Sequence, residues 1–281
     1  MNETSFDAID EAAQSTYRLS LPPQARFSPL NRFPAMTLFA AESHPPGFTL
    51  IELLLVMALI VLVTALAVPA IQSLSENSDM TQAAYRIGGA IESARSYAMA
   101  NNTYTWVGFY EETATASVPT AAIPPYTGCG RVLVGIVTSK DGTELFNSTD
   151  TPETLTNSKI VQVQKLIKIP NLHLVDIGTP TGTSTPLDSR PSLPYNTSQS
   201  RISSESSDAT SHPFTIQGYT FYKTIRFNPR GEANVNSTYD LRPLIEIGLK
   251  PTRGTSVDSN SKNLVAIQIT GIGGNMKIYR R

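Results

Sequence analysis

Residues 47–71 read GFTLIELLLVMALIVLVTALAVPAI, and the interpretation of this stretch decides the fold. From Phe48 to Val68 it holds 21 residues, almost all Leu, Ile, Val, Met or Ala, without a glycine. At about 1.5 Å of rise per residue, a helix of that length covers about 31 Å. That matches the roughly 30 Å hydrocarbon core of a bilayer. A buried helix of a water-soluble domain rarely runs so far without a polar face. A cleaved secretory signal has a shorter apolar run followed by small residues. Here Val68-Pro69-Ala70-Ile71 stays apolar, and the small residue, Gly47, stands in front of the run instead. The anomaly is Glu52, a carboxylate near the start of a segment of membrane length.

A charge at that depth costs on the order of 2.5 to 3.5 kcal/mol on insertion scales. A nearby cation offsets such a cost. A chain cut before Phe48 would carry a new amino group, cationic near neutral pH, one helical turn from Glu52. Pro69 removes a backbone donor and is expected to kink or locally open the helix.

The run GFTLIELLLVMALIVLV resembles the N-terminal processing motif of type IV pilins and of the pseudopilins of type II secretion systems. Gly47 matches the residue after which that family's membrane peptidase cuts. Phe48 matches the residue whose new amino group is methylated. Glu52 falls on the family's glutamate and Pro69 on its proline. The resemblance implies a leader over residues 1–47 and pairing of Glu52 with the terminal amine of a neighbouring subunit during filament assembly. The partners it implies are other pilin or pseudopilin subunits, the prepilin peptidase and inner-membrane lipid. The chain is then expected as a single-pass protein of a bacterial inner membrane, its C-terminal domain in the periplasm and later in a periplasmic or cell-surface filament. Family leaders are short and basic. Residues 1–46 carry three arginines, Arg18, Arg26 and Arg32, against five acids, and Met36 offers a second start.

Composition narrows the field. With 22 Lys+Arg against 23 Asp+Glu the chain has no basic field, and no nucleic-acid partner is indicated. Cys129 is the single cysteine, so no internal disulfide can form. The three histidines, His44, His173 and His212, lie far apart in sequence and from Cys129, against zinc-ligand spacing. Gly271-Ile272-Gly273-Gly274 has no helix after it to make a phosphate loop and reads as a hairpin turn. Asp258, Asn260 and Lys262 read as a surface turn, since a lysine opposes cation binding. Cys129 reads as a small residue at a turn or strand start. No catalytic motif, metal set or cofactor motif emerges, and the chain is expected not to be an enzyme.

Met80, Ala84, Ile87, Ile91, Ala94 and Ala98 recur at helical steps, one apolar face of an amphipathic helix. One helix is therefore expected over residues 48–100, its membrane half at 48–71, with Asn101-Asn102 as its stop. Residues 101–281 read as a soluble β-rich domain. TYTWVGFYE, RVLVGIVTS, KIVQVQKLIKI, FTIQGYTFYKTIRF and LIEIGL each read as one strand, and the last 18 residues as a hairpin over Gly271–Asn275. Residues 178–213, rich in Ser, Thr and Pro, read as a long mobile surface loop. The fold class is thus α+β, a long N-terminal helix packed on an antiparallel sheet.

A looser likeness, to H-type minor pseudopilins and minor pilins, rests on Arg95 near the helix end and on the Phe227-x-Pro229-x-Gly231 turn before the closing strands. It implies a minor subunit of a secretion pseudopilus or type IV pilus. The alternative is a single-pass anchored binding or adhesion protein that never polymerises.

Overall fold

The computed structural model describes residues 47–119, 128–144, 155–182, 185–194, 200–205, 212–235 and 241–281, and only the backbone of 68–76. The leader, residues 1–46, lies outside the described residues. The chain divides into two units, 1–54 and 55–281.

The described chain is α+β. Helix α1 (Leu50–Ala100) is followed by strands β1 (Thr105–Thr113), β2 (Gly130–Ser139), β3 (Ile160–Gln162), β4 (Ile167–Leu174) and β5 (Arg201–Ile202). Then come β6 (Phe214–Ile216), β7 (Tyr219–Phe221), β8 (Lys223–Phe227), β9 (Ala233–Asn234), β10 (Leu244–Arg253), β11 (Ser256–Val257), β12 (Val265–Thr270) and β13 (Met276–Arg280). The main sheet runs β13-β12-β10-β4-β2-β1-β8-β9, with β3, β5 and β11 attached at its margins. Every pairing in it is antiparallel except β5 with β10.

The face of α1 expected from the periodicity is the buried one. Met80, Ala83, Ala84, Ile87, Ala90, Ile91, Ala94 and Ala98 share a core with Val107, Phe109, Val134, Ile225, Ile247 and Ile267 of the sheet. The helix ends at the expected asparagines. Asn102 adopts the left-handed conformation (φ 48°), and the Thr103 N–H donates to the Ala98 carbonyl at 3.0 Å. This six-to-one bond closes the last turn. It aims the chain back along the helix, where the Thr105 hydroxyl donates to the Ala94 carbonyl at 2.9 Å.

The other face of the sheet has its own core of Trp106, Tyr110, Leu133 and Val137, roofed by Phe214, Tyr219 and Phe221. Here the structure corrects the reading of FTIQGYTFYKTIRF as one strand. Gln217 (φ 51°) and Gly218 (φ 83°) turn the chain tightly, so the segment becomes the hairpin β6–β7 followed by β8. The hairpin can lie close because Gly108 and Gly135 face each other across β1 and β2. A Cβ on Gly108 would sit 2.6 Å from atoms of both Phe214 and Phe221. Those two rings stack at 5.1 Å in the space that the glycines leave.

KIVQVQKLIKI is likewise not one strand. It divides into β3 and β4, which pair with different stretches of β2. Its alternation spans a break because Val163 and Leu166 each pack against a core from loop positions.

Residues 178–213 also depart from a plain surface loop. Among the described ones, Leu187, Arg190, Ser200, Ile202, Ser203 and His212 are buried. After β4 the chain crosses over Gly248, with the Val175 N–H donating to the Gly248 carbonyl at 2.9 Å. Later β5 takes up pairing with β10 at Glu246 and Ile247. A side chain on Gly248 would run into the Val175 carbonyl oxygen and the Ile177 side chain.

These contacts set a stability contrast between two glycines. Gly248→Ala forces backbone apart and should destabilise the fold by about 3 kcal/mol, the upper end for overpacked sites. Gly89→Ala lies on the exposed face of α1 with nothing within 4 Å of the new Cβ. It should stabilise by about 0.5–1 kcal/mol through helix propensity. Thermal unfolding of the two variants beside the parent protein checks both signs.

Candidate functional site

The processing motif lies at the start of α1. Gly47 and Phe48 precede the helix, and both are exposed, Phe48 at 85 %. A Cβ placed on Gly47 would meet nothing within 4 Å. Thr49 is the residue before the first helical turn. Its N–H and its hydroxyl both donate to Glu52 Oε2, at 3.0 and 2.9 Å. In return the Glu52 N–H donates to Thr49 Oγ1 at 3.3 Å. This is a capping box, in which the side chains at the two ends of the first turn satisfy each other's backbone donors. Glu52 thus has partners within its own turn. The T-x-x-E spacing that predicts such a cap is legible in the sequence, and Thr49 is the residue that the reading from the motif alone passed over.

Beyond it, Leu50–Ala67 forms a helical stretch long and apolar enough to cross a membrane, with none of its residues buried within the protein. Thr64 does not break this character, because its hydroxyl donates to the Ile60 and Val61 carbonyls within the helix, both at 2.9 Å. Pro69 lies inside α1, and the helix continues on both sides of it. The motif residues Gly47, Phe48 and Glu52 are close in space through adjacency along the chain, and Pro69 stands farther along the same helix. No family model, curated protein or solved structure matches this chain.

The other residues singled out in the sequence lie in the sheet domain. Arg95 packs over two turns at once. A Cβ on Gly231 would come within 3.3 Å of Arg95 Nε, and one on Gly274 within 2.8 Å. Gly231 closes the expected 228–231 turn, its N–H donating to the Asn228 carbonyl at 2.8 Å. Asn228 Oδ1 accepts from the Arg230 and Glu232 N–H groups, both at 3.0 Å. Gly271–Gly274 is the turn between β12 and β13, as expected. Asp258 also serves a turn: Oδ1 accepts from the N–H groups of Asn260 and Ser261, and Oδ2 pairs with Arg253 at 3.3 Å.

Cys129 immediately precedes β2, and its thiol donates to the Thr255 carbonyl at 2.8 Å. Burial, and then the charge of Glu111, push the thiol up, away from the reactive thiolate. Glu111 itself is a buried carboxylate with a structural task. β4 runs on past Leu172, its last residue paired with β2, while in β1 Glu111 sits opposite Val132. Its side chain reaches the end of β4, accepting from the Leu174 N–H at 3.3 Å and contacting His173 Nδ1 at 2.6 Å.

Burial pushes the Glu111 carboxyl above its ordinary value, opposed by the His173 hydrogen bond and charge. A carboxyl with a raised folded-state value holds its proton more tightly folded than unfolded. Its contribution is most favourable at low pH and is lost as pH rises through the raised value. Glu111→Gln removes this dependence. Its thermal midpoint relative to the parent should therefore improve as pH rises above the ordinary carboxyl range and then level off, as melting curves across a pH series would show.

Proposed function

We propose that this chain is a prepilin-like subunit, cut after Gly47 and N-methylated at Phe48, that assembles as a minor component of a type II secretion pseudopilus or type IV pilus. The observation that carries the reading is the combination at the start of α1. The exposed residues Gly47 and Phe48 precede an unburied apolar helix, and a single carboxylate stands one turn inside it. In this reading the first half of α1 lies in inner-membrane lipid, and the sheet domain stands in the periplasm on the second half. The Arg95 and Phe227–Gly231 arrangement supports the minor-subunit assignment within it.

Assembly would transfer Glu52 from its local partners to a neighbour's terminal amine. The carboxylate meets Thr49 in the isolated chain. Those hydrogen bonds make it cheaper to hold in hydrocarbon than a bare charge, and they leave its second oxygen open to a cation. The same bonds favour the rival reading, an anchored binding or adhesion protein, because a capping glutamate needs no second subunit to explain it.

Two measurements separate these readings. Mass spectrometry of the protein from its native membrane should find an N-terminus at Phe48 carrying a methyl group, and a chain retaining residues 1–47 in the assembled state overturns the proposal. Glu52→Ala should insert and be cut normally, because Gly47 is untouched. It should enter filaments at least tenfold less than the parent, since the buried amine then lacks its counter-charge. Glu52→Gln keeps much of the cap and loses the charge, so under the subunit reading it should fail nearly as badly. Incorporation of Glu52→Gln at the parent level would favour the anchored protein.

A further inference from the structure

The change of strand beside β10 opens a crevice of about 170 Å³ lined by Asp176, Gly178, Thr179, Arg190, Arg201 and Glu246. The strand seat along this part of β10 is held by β4 as far as Leu249 and by β5 from Ile247 onward. Gly248 lies between, where the outgoing chain crosses over.

Two oppositely charged pairs face this space, at different depths. The inner pair is Arg190 with Glu246, Nε to Oε2 at 2.7 Å and Nη2 to Oε1 at 3.2 Å, each side chain 2 % exposed. It is saturated. Glu246 also accepts from Gln268 Nε2 at 2.8 Å, and Arg190 donates to the Leu187 and Gly178 carbonyls at 2.9 and 2.5 Å. This pair fixes the wall. The outer pair is Arg201 with Asp176, Nη1 to Oδ1 at 2.6 Å, and the Asp176 side chain is 36 % exposed. Asp176 Oδ1 also accepts from the Gly178 N–H at 2.7 Å, which holds it in place. Solvent, and hence a solute, reaches the outer pair.

Charge decides what fits. A simple anion drawn to Arg201 meets Asp176 and Glu246, and a simple cation drawn to Asp176 meets two guanidinium groups. An apolar solute would strip water from the outer pair without replacing its hydrogen bonds. A molecule with both charges can lie head to tail along the outer pair and match each end. Size limits it further, since a cavity of about 150 Å³ takes a molecule the size of benzene. We propose that this crevice binds a small free α-amino acid as its zwitterion, its carboxylate toward Arg201 and its ammonium toward Asp176. The site is independent of the filament reading.

The test uses the full-length protein in detergent micelles, with calorimetric titration and ligand-observed NMR. Glycine, alanine and serine should bind saturably. Acetate and methylamine, which each carry one of the charges, and tryptophan, which is too large, should bind at least tenfold more weakly. Asp176→Asn keeps an acceptor for the Gly178 N–H and loses the charge, and should weaken glycine binding at least tenfold. Absence of saturable binding by all three amino acids overturns the proposal. So does acetate or methylamine binding as tightly as glycine, or parent-level affinity in Asp176→Asn. Should that variant not fold, the ligand ranking on the parent protein alone decides.

Discussion

The closeness with which the second half of α1 meets the sheet is the constraint on which the domain depends. Of the eight apolar side chains that the described part of α1 buries there, five are alanines, at 83, 84, 90, 94 and 98. Alanine brings a helix backbone near its neighbour and loses no side-chain freedom in doing so. Gly88 continues the theme, for a Cβ there would reach within 2.7 Å of the Met276 methyl. A seam this tight tolerates little rotation, and polar contacts fasten both ends of it. Near its start Asn171 donates to Asp79 at 3.3 Å and Arg280 to the Thr81 hydroxyl at 2.6 Å. Near its finish Thr105 bonds back to Ala94 and Arg95 lies across two turns. Helix, first strand and closing hairpin are thereby registered against one another.

How far such a structure can be read from sequence depends on whether the controlling forces are periodic. The buried face of α1 was legible because burial repeats at 3.6 residues, and every position named from that period lies in the core. The strand read at TYTWVGFYE repeats at two residues, and its Trp106 lies in one core while Val107 and Phe109 lie in the other. What escaped is governed by single residues. One left-handed pair, Gln217-Gly218, turns an apparent strand into a hairpin, and its sequence is only weakly turn-like. Residues 178–213 looked unable to enter a core because serine, threonine and proline dominate them. Yet Arg190 is buried against Glu246, whose partner lies 56 residues away in the chain. Composition treats each charge as solvated and cannot see a pair formed at that distance.

The candidate site divides in the same way. Gly47, Phe48 and Glu52 were found by their order along the chain, and order is what sequence holds. The conformation of Glu52 was not, since the role of Thr49 depends on the helix beginning at Leu50 rather than at Phe48. A shift of two residues in that boundary converts a lone acid in an apolar helix into one half of a reciprocal cap.

The crossing at Gly248 has a consequence for how the domain can vary. Because β4 and β5 are each registered directly to β10, the stretch between them is a detour whose length enters neither register. Residues could be gained or lost between about 180 and 186 with both ladders intact. The detour cannot be dispensed with altogether, however. It delivers the Arg190 guanidinium that pairs with Glu246, and without it the buried carboxyl group would lose its two-point partner. The dispensable-looking part of the chain is thus tied to the sheet at Leu187, Arg190 and Pro191, which meet Arg280, Glu246 and Gln268, and variation there would break those ties.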